Sequence, residues 1–184
     1  MNRFTPPRWE KPAPIGYGPA AESVYGVAAP LLAGFSLAAT LAVSADDDRF
    51  RWPGAAMLAF SLAAILLLFC LQCGFTARQY LYSASDVRDW WPDLIEGSDR
   101  EEKLRSVQAA DFTRWEFWSG WTRRAYNSGL FFLLSALALA LAPPRGDGAQ
   151  TVFRWVAMGV ALVAAAIEVA WMLRMFLVER RTRA

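Results

Sequence analysis

The chain has no histidine and only two cysteines among its 184 residues. Losing imidazole removes together the commonest metal ligand, the commonest general base and the usual axial ligand of haem. The two thiols, Cys70 and Cys73, have CxxC spacing. They lie inside an apolar run, with no helix N-terminus to lower a thiol pKa and no further cysteine or histidine to complete a zinc site, so they read as core thiols. Glycine loops that cradle phosphate are missing, and Gly146-Asp147-Gly148 is a plain turn. No nucleophile stands beside a base and no set of acids shares a depth, which argues against an enzyme and for a chain needing neither metal nor cofactor. Charge is scarce too. Only 20% of residues are charged and the net is +2, with bases interleaved among acids; a nucleic-acid binder would show a basic stripe.

What is plentiful is apolar: 55% of the chain, and clumped. Four runs of about 18 to 24 residues are nearly free of charge, enough to cross about 30 Å of hydrocarbon at 1.5 Å per residue. The expected class is an all-α integral membrane protein, its four transmembrane helices paired as two antiparallel hairpins with helical cytoplasmic extensions, and the lipid bilayer as its first partner.

In chain order, residues 1–22 hold five of the ten prolines and read as a flexible, extended arm. The first hairpin occupies 23–75. Its first span runs from Val24 to Val43 with Pro30 inside it, a plausible kink, and small residues at Gly26, Ala29, Ala33, Gly34 and Ala38 invite close helix packing. The link from Ser44 to Pro53 carries Asp46, Asp47 and Asp48, read as a solvated loop, and the second span follows from Gly54 to about Gly74. A short link implies antiparallel neighbours. The second hairpin occupies 126–178, interrupted by Pro143, Pro144 and the link 145–150, and 179–184 is a basic tail. Phe50, Trp52, Phe153 and Trp155 sit at the outer ends, where amphipathic rings prefer the headgroup layer.

Fifteen of the nineteen lysines and arginines lie on the arm, the central stretch and the tail side, against four on the two short links. The positive-inside rule then places both termini and the central stretch in the cytoplasm. Arginine far outnumbers lysine and alanine is abundant, which points to a GC-rich bacterial genome and hence a plasma (inner) membrane.

Residues 76–125 form the central, tryptophan-rich insert. The second span has no breaker through Tyr82 and projects beyond the bilayer. Ser85 followed by Asp86 reads as the N-cap of a short helix bearing Trp90 and Trp91, ended by Pro92. Gly97, then Ser98 with Glu101 three residues on, reads as a turn and a capping box opening a helix that nothing but Gly120 obliges to end before Ala142, a rod of about 60 Å. On that helix Leu104, Val107, Ala110, Trp115, Phe117, Trp118 and Trp121 fall in one arc, interrupted by Asp111 and Arg114. The arc packs on the end of the second span, rests in the headgroup layer, or docks a protein partner or a second copy. As an interaction face its rings are Trp90, Trp91, Trp115, Trp118 and Trp121.

Inside the bilayer, Glu168 is the one acid deep within a span, about 22 Å along its helix. Intramembrane acids face the bundle interior or a water path and take a partner. Gln72, Tyr126 and Asn127 reach comparable depth, so the expected intramembrane polar cluster is Gln72, Tyr126, Asn127 and Glu168. Two functions follow. One is a multi-pass scaffold or effector that self-associates or binds a partner through its aromatic cytoplasmic helices. The other is a small oligomeric ion or proton channel or transporter using Glu168.

Overall fold

A computed structural model describes residues 8–12, 16–144 and 151–183, with side chains in the last helix as far as Val178. Among the described residues every regular element is helical. They are α1 (Tyr17–Ala45), α2 (Pro53–Arg78), α3 (Ala84–Trp90), α4 (Asp99–Leu141) and α5 (Thr151–Arg183). All but α3 contain a stretch long and apolar enough to cross a membrane.

Several boundaries depart from expectation. Helix α1 starts at Tyr17, inside the stretch read as a flexible arm, because Pro19 falls in the first turn, where a missing N–H costs nothing. Instead of a simple kink at Pro30, the helix widens into a π turn over Val24–Ala28, with the Ala29 N–H reaching Val24 O. That extra residue shifts the carbonyl register just ahead of the proline ring, the kind of local adjustment that satisfies groups a proline would orphan. Helix α2 stops at Arg78 and does not carry on to Tyr82. The N-cap of α3 is Ser83, not Ser85: its hydroxyl accepts from the Asp86 N–H while the Asp86 carboxylate accepts from the Ser83 N–H. Capping needs the acid at the third helical position, and only Ser83 has it.

Helix α4 is 43 residues long and passes through Gly120 unbroken, about 65 Å at 1.5 Å per residue. Its start is as expected at Ser98, whose Oγ accepts from the Glu101 N–H, but Glu101 reaches past Ser98 to accept from the Gly97 N–H at 2.7 Å. Gly97 has φ +77°, a left-handed turn that a side chain would strain, which is why a glycine stands there.

Burial follows a seven-residue repeat. On α4 the residues Glu101, Gln108, Trp115, Thr122, Gly129 and Ala136 bear the repeat, with Ser119 and Leu133 between them; all are buried or, for Gly129, in direct contact with α2. On α2 it is Ala56, Ala63, Cys70 and Ala77, with Phe60, Leu67 and Gly74 between. A period of 3.5 keeps one seam facing its neighbour along the whole length, as in left-handed coiled coils. The seam is lined with small residues, which is how helices approach when lipid removes the hydrophobic drive between them.

Helix α1 packs on α2, α2 on α4, and α5 chiefly on α4. Val43 meets Ala56, Phe60, Leu133 and Ala136 in one cluster, and Ala29 and Ala33 meet Leu67, Cys70 and Ala125 in another. Of the small residues expected to line α1, Ala29 and Ala33 are buried while Gly26, Gly34 and Ala38 face outward. Both cysteines are free and buried. The Asp46–Arg49 pair, at 2.7 Å, closes the exposed turn after α1.

A methyl group at Gly129 would lie 2.8 Å from Leu67 Cγ, and one at Gly74 would run into Tyr25, while Gly34 and Gly159 have nothing within 4 Å. Gly129→Ala and Gly74→Ala are therefore expected to destabilise by about 1–3 kcal/mol through overpacking. Gly34→Ala and Gly159→Ala should be neutral or gain roughly 0.5–1 kcal/mol. Melting temperatures of the four variants in one detergent test this ordering.

Candidate functional site

The polar half of α4, from Asp99 to Arg124, is the centre of a head that the other elements build upon. Its buried stripe is not apolar. Glu101 and Gln108 are 2% and 3% exposed, and Ser119 and Thr122 are buried beside them. Glu101, Gln108 and Thr122 each have a partner to justify their place. Gln108 receives the extended segment that precedes α1: its Oε1 accepts from the Glu10 N–H and its Nε2 donates to Glu10 O, both at 2.9 Å. A side-chain amide so placed serves the segment as a neighbouring strand would, satisfying backbone groups that an extended chain leaves open. Next to it Arg105 lies over the Trp9 ring at 5.8 Å and pairs with Glu101 at 2.9 Å. Further along, Trp115 meets Tyr17 edge-on at 5.6 Å and Phe112 at 4.9 Å. The segment 8–12 is thus held against α4.

Asp111 explains an irregularity in the arc. It accepts from the Tyr82 hydroxyl at 3.0 Å and from Arg114 at 3.2 Å, and Arg114 lies over the Tyr80 ring. The connection between α2 and α3 is pinned to α4 through this one carboxylate. Burial and the Asp111 bond push the Tyr82 hydroxyl up to about 12. Tyr82 also stacks at an angle on Trp90, which meets Trp91 edge-on.

The apolar arc, expected to pack on the second span, to rest in the headgroup layer or to dock a partner, is largely the outer face. Of its members only Trp115 is buried; Leu104 and Trp118 are half-buried, and Val107, Ala110, Phe117 and Trp121 are exposed. Trp91 is half-buried and Trp90 exposed. Hydropathy did not mark the buried side, because the buried stripe is chosen by hydrogen bonding to the segment 8–12 and by the repeat that continues into the apolar half. The one sequence signal for Gln108 was its place in a seven-residue series with Glu101, Trp115 and Thr122.

The intramembrane polar residues are brought together only in part. Gln72 is exposed on α2, where its carbonyl accepts from the Thr76 hydroxyl. Tyr126 packs against Ala29, Leu67 and Cys70 and lies within electrostatic reach of Glu168. Glu168 is half-buried on α5, with no hydrogen bond or ion pair to another described residue. Asn127 lines a groove of about 420 Å³ between α4 and α5, together with Arg123, Arg124 and Ser128 on one wall and Met172 and Met175 on the other. Among the described residues no three histidine, cysteine, aspartate or glutamate side chains converge on a metal-sized space.

Comparison of the chain with family models, with curated proteins and with solved structures found no match.

The Gly97 N–H, followed by Arg105, holds the Glu101 carboxyl below the usual carboxylate range. A lowered folded pKa means that Glu101 stabilises the head above its unfolded pKa and that this contribution fades as pH falls through the folded one. The head should loosen below about pH 4. Glu101→Gln should remove that acid step and cost roughly 1.5–3 kcal/mol at neutral pH, the worth of hydrogen bonds to a charged group. Tryptophan fluorescence melts at pH 3.5, 5 and 7 measure both effects.

Proposed function

We propose that the chain is a multi-pass plasma-membrane scaffold or effector, built as two antiparallel transmembrane hairpins with both termini and the head in the cytoplasm, that engages a protein partner through the outer face of α4. The observation that carries this reading is the inversion of the head: it buries Glu101, Gln108, Ser119 and Thr122 while leaving Val107 and Phe117 52% and 59% exposed. Trp121 and Phe117 lie within about 10 Å of Arg124 along the helix, inside the reach of the headgroup layer, whereas Val107 stands about 25 Å away, beyond it. Lipid covers the first two and leaves Val107 to water or a protein. Exposed apolar residues alternating with Lys103, Arg114 and Arg124 have the composition of an interface core with a basic rim.

A photo-crosslinking amino acid at Val107, in cells at native expression, should trap a discrete protein adduct. One at Glu116, nine residues on and so about 180° round the helix from Val107, should not. An adduct of twice the chain mass identifies self-association and any other discrete mass a partner. Lipid adducts alone at Val107 overturn the reading.

The alternative, a small oligomeric ion or proton channel using Glu168, is favoured by one observation. On α5 only Ala161 and Ala165 are buried among the described residues, so much of that helix is left for a second copy or for lipid. In proteoliposomes this reading expects a flux that Glu168→Gln abolishes; absence of flux, or a flux indifferent to the substitution, ends it.

A further inference from the structure

We infer that the polar stripe of α4 around Arg105 and Gln108 is a recognition site for an extended peptide of the pattern Trp-x-x-Pro on a partner protein, and that residues 9–12 of this chain are its built-in occupant, a latch that the partner's segment displaces. The inference is independent of whether the outer face of α4 docks a protein.

What the stripe reads follows from its contacts. Gln108 gives both ends of its amide to one residue, accepting from the Glu10 N–H and donating to Glu10 O, each at 2.9 Å. Those are main-chain groups, so the contact selects an extended backbone and not a particular side chain. The side chains of Glu10 and Lys11 are exposed, which leaves these two positions unread. The positions on either side are read. Arg105 lies over the Trp9 ring at 5.8 Å, and Pro12 is half-buried. A proline also limits the backbone freedom that a bound peptide gives up. The receptor side is set by α4 and its own turn: Glu101 holds Arg105 at 2.9 Å and is itself held by the Gly97 N–H at 2.7 Å. A site fixed independently of its occupant is ready for a second one.

The occupant itself is built to leave. None of the residues 8–12 is fully buried, and among the described residues their hydrogen bonds to α4 are the two at Gln108. The Trp9 indole N–H is covered yet has no acceptor among the described residues, which weakens the hold. Segments with so few buried contacts open locally at little cost. Glu10 lies at the level of Gln108 and Tyr17 at that of Trp115, so the two anchors stand about 10 Å apart along α4, whereas seven residues can extend about 23 Å. The tether lets the segment leave without moving α1. A tethered ligand meets its site at a high effective concentration, so the latch shields the stripe from chance peptides and yields to a partner that is itself concentrated at the membrane.

The test uses the full-length protein in detergent and, as probe, a dye-labelled peptide of residues 6–14, read by fluorescence anisotropy. Glu10→Pro in the chain removes the N–H that Gln108 accepts, so this variant should bind the probe at least about tenfold more tightly than wild type, whose own segment competes. Adding Gln108→Ala to that variant should abolish the gain. The same probe carrying Trp9→Ala or Glu10→Pro should not bind. No binding to the Glu10→Pro chain, or binding that Gln108→Ala and both probe changes leave intact, overturns the site; equal binding by wild type and the Glu10→Pro chain overturns the latch. Stoichiometric pairing of the Glu10→Pro chain with wild-type chain overturns the separate partner, because a second copy then supplies the segment. If Gln108→Ala does not fold, the two altered probes decide, since they leave the protein unchanged.

Discussion

The close approach of α2 and α4 is the constraint on which everything else depends. In oil, greasy side chains gain nothing by turning from lipid to one another, so helices are held by van der Waals contact over surfaces that let backbones come near. Here the contact is Ala63, Leu67 and Cys70 against Ala125, Gly129 and Leu133, with Gly129 so tightly seated on Leu67 that even a methyl group does not fit. The seven-residue repeat carries this contact out of the apolar region and into the head without a break in α4. A rod that is unbroken across the boundary carries the register of the apolar half into the polar half. The second half of that register then decides which residues of the head are covered.

That transmission accounts for the inverted head. The repeat that selects Gly129 and Thr122 goes on to select Trp115, Gln108 and Glu101, whatever their polarity. Burial of an amide or a carboxylate is tolerable only with its hydrogen bonds made. Gln108 makes them with the backbone of Glu10, and Glu101 with Gly97 and Arg105. The extended segment before α1 and the turn before α4 are thus the counterparts of the polar stripe, not decorations on it. The apolar residues left over, Val107, Phe117 and Trp121, are turned outward as a consequence.

At the boundary between the two halves the same helix offers something different on its other side. Helix α5 touches the bundle mainly through α4 and buries little of itself, so the two helices diverge enough to leave a groove where the arginines begin. The outward rings, the arginines and the methionine wall lie together where the charge-free stretch of α4 begins. Glu168 lies half-buried on α5 beside Val169, which lines this groove, while Gln72 is exposed on α2.

Sequence alone determined the elements, because their signals are local. Charge-free runs of spanning length, Pro143 and Pro144 as a stop, and Ser98 with Glu101 as a start depend on residues within a turn or two of each other. The all-helical content and four helices fit to cross a membrane followed directly. So did the unbroken α4, since propensity had nothing stronger than Gly120 to oppose it. Tertiary structure decided which face of each helix is inside. Hydropathy placed Val107, Phe117 and Trp121 together with Trp115, yet the fold covers only the last, because partners distant in the chain, Glu10 on Gln108 and Tyr82 on Asp111, outweigh the preference of a ring to leave water. It also separated Gln72 from Tyr126 and Glu168, since depth in a bilayer can be counted along a sequence while azimuth depends on which neighbour each helix meets.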